Sequence, residues 1–224
     1  MSDTFTAYHF VGYMFSSELS FNMPGFLFVK DDLTQNLLII QKVSQQFGHK
    51  DYSDITNMFI KDAWIALCKL SELTTVITFK FGQVSMKLPK PKEVNKHIIE
   101  LLKIDNIASK HLQEWTVSID FGYKQTHLSA ENYLANLAKK EKTLSDRKSE
   151  ASDIYHFIRS LSYIYKTGVI NHRGSILFFQ ILIEKEKINE LYEDLSSKDL
   201  ADHFEINLNG PQPIKELLSN NVLS

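Results

Sequence analysis

One cysteine, Cys68, stands among the 224 residues, which excludes an internal disulfide and every zinc or iron–sulfur centre built on several thiolates. The expectation for Cys68 is a small buried apolar residue on a helix, in a reducing compartment. Glycine is also scarce, at eight residues, and neither GxxxxGK[ST] nor GxGxxG occurs, so the phosphate-cradling loops of many nucleotide enzymes are absent. No apolar run approaches the roughly 18 residues of a spanning helix. Residues 1–15 lack the basic stretch and apolar core of a secretory leader, so the chain is expected to be cytoplasmic, with no membrane partner. A net charge of −2 argues against a surface built wholly for nucleic acid.

Arginine is the scarcest cation: only three of the 25 basic residues are arginines, and Arg147, Arg159 and Arg173 all lie in one short stretch. A guanidinium grips a carboxylate or phosphate through two parallel hydrogen bonds, which an ammonium cannot do. The eight histidines are scattered, without HxH, HExxH or HxxEH spacing, so no metal is expected and no cofactor is indicated. Glu184-Lys185-Glu186-Lys187 lacks the Glu-x-Lys order of a carboxylate-and-lysine nuclease. No GxSxG elbow is present.

What is present is ample core material, with 43% hydrophobic and 12% aromatic residues. Segments 4–15, 26–30 and 37–41 read as strands, the last two forming a hairpin across polar residues 31–36. Ile77, Phe79 and Phe81 alternate with polar partners, as do Val84, Met86 and Leu88, with Gly82-Gln83 between, which predicts a type II′ hairpin. Alternation predicts a further strand over 115–121. Helices are expected from Ser53 or Asp54 to about residue 70, and over 91–103. The aromatics of residues 5–28 are expected to pack within the sheet.

From Ser129 the pattern turns helical. Tyr133, Leu134 and Leu137 are followed by an almost wholly polar run, 139–148, and then by Ala151, Ile154, Phe157, Ile158, Leu161 and Tyr165 at helical spacing. The polar run favours two antiparallel helices over one long helix, with Gly168 closing the second. Residues 171–174 read as a turn, 176–183 as a buried strand, 184–195 and 197–204 as helices, and Pro211 and Pro213 open a tail with a last helical turn. The expected fold is therefore α+β: a mainly antiparallel amino-terminal sheet with packed helices, followed by a largely helical carboxy-terminal region. The expected regions are 1–125, sheet-rich, and 126–224, mainly helical, or one continuous domain. Phe79, Trp115, Ile119, Phe157, Leu161 and Phe178 are expected in the core.

Charge is uneven in the second half. Residues 139–173 hold eight basic and four acidic residues, a balance of +4, and residues 184–216 hold four basic and nine acidic, a balance of −5. On the expected helix, Tyr155, Arg159, Ser162 and Lys166 follow a 4-3-4 spacing along one side, with His156 beside Arg159. His172-Arg173-Gly174 in a turn would extend that side. The partner- or phosphate-binding candidates are thus Lys139, Lys140, Lys142, Arg147, Lys148, Tyr155, His156, Arg159, Lys166, His172 and Arg173.

These features point to a non-enzymatic protein-binding or accessory subunit of an intracellular bacterial or phage complex, with a protein partner or a second copy of itself. The alternative is a nucleic-acid-associated protein of a defence or mobile-element system, its lysines and arginines on phosphates. A third reading is a phosphoester-directed enzyme using His156, Arg159, His172 and Arg173.

Overall fold

A computed structural model describes residues 4–15, 22–30, 37–46, 52–78, 84–85, 87–88, 111–122, 133–198 and 204–214. The chain divides into two compact units, Met1–Gln113 with Pro211–Ser224, and Glu114–Gly210.

In the first unit, β1 (Thr4–Met14), β2 (Phe26–Lys30) and β3 (Leu37–Gln46) form the sheet, with α1 (Tyr52–Ser71) and the short strands β4 (Val76–Thr78) and β5 (Val84–Ser85). The order is β2-β3-β1-β4, and β5 also pairs with β1. The 26–30 and 37–41 hairpin is present, with Phe26 opposite Gln41 and Lys30 opposite Leu37. The expected hairpin turn at Gly82-Gln83 lies outside the described residues. Thr78 lies opposite Gly12 and Val84 opposite His9, both antiparallel to β1, so β4 and β5 run in the same sense. These two register points are six residue steps apart on this segment and three apart on β1. Residues 79–83, with Phe79, and the expected helix 91–103 lie outside the described residues.

Ala63, Leu67 and Leu70 of α1 recur at helical spacing and pack on Val11, Met14, Leu37, Ile39 and Val76. Polar groups gather at the helix end, two of them on its orphan carbonyls at Leu70 and Ser71. Thr74 N donates to Leu70 O (3.1 Å), Ser71 Oγ to Leu67 O (2.9 Å) and Gln113 Nε2 to Ser71 O (2.8 Å). On the sheet side, buried His9 places Nδ1 3.2 Å from Gln41 Oε1, and Gln41 Nε2 donates to Phe59 O of α1 (3.3 Å). Ile214 forms a parallel bridge to Ile77, donating to Val76 O (2.8 Å) and accepting from Thr78 N (3.2 Å).

The second unit corrects the expectation of a largely helical carboxy-terminal region. It is a five-stranded sheet of β6 (Leu112–Asp120), β7 (Ile164–Thr167), β8 (Asn171–Arg173), β9 (Ile176–Glu184) and β10 (Glu205–Gln212), with α2 (Tyr133–Ser160) and α3 (Ile188–Ser197), the latter entered through a 3-10 turn, Lys185–Lys187. The order is β10-β6-β9-β7, with β8 also on β9. Three local readings fail, each for an identifiable reason. Residues 133–160 hold neither glycine nor proline, so the polar run does not break the helix, and α2 is a single 28-residue element. The helix then ends eight residues before Gly168: Leu161 N bonds Ile158 O (3.2 Å) and Ile164 N bonds Leu161 O (3.1 Å), tightening the chain into β7. Tyr165 matched the helical spacing by coincidence and belongs to a strand. Finally, Ile206 and Leu208 alternate with Glu205, Asn207 and Asn209 in β10, a two-beat pattern too short to outweigh the Asn, Gly and Pro around it.

The core of this unit is formed by Val117, Ile119 and Phe121 of and just beyond β6, Leu177, Phe179, Ile181 and Ile183 of β9, Ala151, Ile154, Tyr155 and Ile158 of α2, and Leu191 and Leu195 of α3. Ile119 is buried as expected, while Trp115, Phe157 and Leu161 are only partly buried against this core. Phe178 is half-buried, because the strand period turns Phe179 inward instead. Arg173 and Ile176 pair across Gly174-Ser175, and Gly174 alone has positive φ (+62°), as a type II′ turn requires. A II′ turn thus stands at Gly174, at the end of the segment expected as a turn.

Candidate interaction surface

The basic window is dispersed by the fold. Arg147, in the middle of α2, is committed to structure: its Nη1 donates to Phe121 O (3.3 Å) and Gly122 O (2.5 Å). That turn is fixed twice more, by Phe121 N on Ser175 O (3.0 Å) and Gly122 N on Asp120 Oδ1 (3.0 Å), and Gly122 has φ +64°. The guanidinium therefore ties the end of β6 to the helix. Arg147→Lys is expected to cost about 1–2 kcal/mol, since the shorter lysine side chain does not carry a donor to the point where Nη1 meets both carbonyls. Chemical denaturation of the two proteins checks this, and equal midpoints would contradict it.

Tyr155 is not on a wet row. It is 7% exposed, its ring meets Phe179 edge-on (centroids 4.8 Å, 87°), and its hydroxyl lies 3.5 Å from Gly168 O. The 4-3-4 row does not continue along the helix, because Ser162 lies two residues beyond its last residue, Ser160, and Lys166 belongs to β7. Arg159 and His156 are exposed near the end of α2, where the cation complements the helix dipole. Lys139, Lys140 and Lys142 lie on the first half of α2, with side chains outside the described residues.

His172 and Arg173 are exposed on β8. Burial, then the nearby charge of Lys148, holds the His172 imidazole below its ordinary 6.5. Lys148, whose charge reaches His172, lies eleven residues and about 16 Å along the helix from Arg159. Of the four residues of the phosphoester reading, His156 and Arg159 lie near the end of α2, and His172 and Arg173 lie on β8. Since the folded chain favours neutral His172, protonation opposes folding, and this group's contribution is lost as pH falls below 6.5. Lys148→Ala is expected to raise the His172 titration only part of the way to 6.5, because burial is the larger cause. Proton NMR of the ring reads this; an unchanged midpoint would contradict it.

Among the described residues no group of three His, Cys, Asp or Glu side chains is placed to hold a metal. Burial and the carboxylate of Glu72 raise the Cys68 thiol, which keeps it protonated and a poor nucleophile. Among the described residues no helix is long and apolar enough to cross a membrane.

What the sequence did not single out is a set of exposed apolar side chains on the second unit: Val169 (71% exposed), Tyr192 (47%) and Tyr165 (37%). Tyr192 lies on α3 among Glu190, Glu193 and Asp194. α3 is anchored by the Tyr163 hydroxyl on Asp194 Oδ2 and by Lys198 Nζ lying 3.9 Å from the Phe157 ring centre. Burial and then that carboxylate push the Tyr163 phenol upward. Tyr165 and Val169 sit at irregularities of strand pairing, which leave no mark in a sequence.

No family model matches the sequence, and no curated protein matches it significantly. Solved structures do match in fold. The gas vesicle protein GvpF from Anabaena sp. PCC7120 superposes with a TM-score of 0.52 at 14% identity, over 92% of this chain and 93% of that one. GvpF from Microcystis aeruginosa gives a TM-score of 0.52 at 13% identity, over 95% of this chain and 98% of that one. At this identity the likeness is one of fold, and it runs through nearly the whole of each chain.

Proposed function

We propose that the chain is a non-enzymatic accessory protein of a bacterial gas vesicle system, acting inside the cell by binding other proteins. The observation that carries this reading is the end-to-end likeness to two gas vesicle proteins, with coverage above nine-tenths in both directions. Fold alone does not fix function, so the surface must agree with the fold. What supports the reading on the surface is that Arg147 and Tyr155 are absorbed into the structure, while exposed Val169, Tyr165 and Tyr192 stand beside exposed charge, a composition suited to protein contacts.

The test is gentle purification of the chain from its own cells, with and without nuclease, and identification of what accompanies it by mass spectrometry. Other gas vesicle proteins retained after nuclease treatment are the expected result. Recovery of the chain alone, or loss of its partners on nuclease treatment, would overturn the proposal.

A further inference from the structure

The strand that flanks β9 carries two irregularities, and each presents an apolar side chain. Ile164 lies opposite Ile183 and Lys166 opposite Leu182, which leaves Tyr165 as the extra residue. Thr167 lies opposite Ile181 and Asn171 opposite Phe178, four steps against three, and within that interval Val169 is 71% exposed. Bulges twist an edge away from strand addition and re-aim side chains, so a partner meets this edge through side chains. Arg173 follows at the end of β8, exposed and with no side-chain partner among the described residues.

The opposite end of β9 has the complementary character. Glu186 and Glu193 are exposed there, and Tyr192 stands 47% exposed between Glu193 and Glu190. Lys187 is taken up by Glu190 at 2.5 Å. Both ends of α3 are held at this pole: its entry follows Glu184 directly, and Asp194 is bonded to Tyr163, next to the residue paired with Ile183. Arg173 pairs with Ile176, eight strand steps from Glu184, or about 26 Å. Arg173 cannot reach the acidic residues of its own α3.

We propose that the chain associates with itself head to tail, the Val169–Arg173 edge of one copy seated on the Glu186–Tyr192–Glu193 face of α3 in the next. The two patches differ, so the contact is heterologous and propagates into a string of copies or a ring, not a closed two-fold dimer. Apolar side chains supply the buried area and the opposite charges set the register. The proposal rests on the second unit alone and holds whether or not the chain serves gas vesicles.

Sedimentation velocity of the purified full chain over a range of concentrations tests it. At low salt the average mass is expected to rise with concentration, and to fall when salt is added. R173E and E193R should each remain monomeric while keeping the circular dichroism of the parent. An equal mixture of the two should associate again, since the intact Arg173 edge of one fits the intact acidic face of the other. V169D, on the exposed bulge, reads the same contact if either reversal fails to fold. A single monomeric species at every concentration and salt would overturn the proposal, as would association that R173E and E193R leave unchanged or a mixture that stays monomeric.

Discussion

Phe179→Ala is expected to destabilise the second unit by about 3–5 kcal/mol. Phe179 is fully buried at the centre of β9, flanked by Leu177 and Ile181 on the same face, and its ring takes the edge of Tyr155 from α2. Truncation removes the apolar area and leaves a cavity between a strand and a helix, neither of which can close over it without breaking the pairing of β9 or the bond of Arg147 to the β6 turn. For a domain of about 100 residues, each kcal/mol lowers the midpoint by about 4–8 °C, so the melting point should fall by more than about 12 °C. Phe178→Ala is the control: the half-buried neighbour should cost less than half as much. Equal losses would mean that the alternation of β9 is assigned to the wrong face.

Gly12→Ala is expected to cost the first unit about 2–3 kcal/mol, although it adds one methyl group. A Cβ at Gly12 would stand 2.7 Å from the carbonyl oxygen of Ile77 and 3.1 Å from Leu67 Cδ2. The first of these is backbone of the neighbouring strand and cannot rotate away, so β1 and β4 must separate where Gly12 pairs with Thr78. The second is a core side chain of α1, so the insertion also pushes the helix off the sheet. Gly25→Ala tests the opposite situation. Nothing lies within 4 Å of its Cβ, and only the strain of φ +82° remains, about 1–2 kcal/mol. Urea denaturation of both variants should rank Gly12→Ala as the more damaging; the reverse order would contradict the close approach of β1, β4 and α1.

How much of this was legible in the sequence depended on the range of the interaction that decided each element. Alternation marks β6 and helical spacing marks α1, while β1, β2, β3 and β9 are runs of β-compatible or apolar residues; each forms in its expected segment, with β3 running on to Gln46 and β6 beginning at Leu112. The hairpin at Phe26–Lys30 was readable because a polar turn separates two apolar runs. The carboxy-terminal sheet was not, because Ile164–Thr167 and Asn171–Arg173 are too short to show alternation and are strands only by virtue of pairing with β9. Helix α2 was misread as two because its polar middle was taken for a connection, whereas Leu144 and Arg147 tie that stretch to the rest of the unit. The candidate surface was the least legible. Tyr155 looked like part of a polar row and is core; Arg147 looked like a ligand group and is a structural tie; Val169 drew no attention until a bulge exposed it.

The most direct measurement is deletion of the gene in its own organism, with electron microscopy of the cells and restoration of the gene on a plasmid. The account predicts that gas vesicles are lost or misshapen in the deletion and return on restoration. Gas vesicles unaltered in number and form without the gene, or a host that makes none, would contradict it.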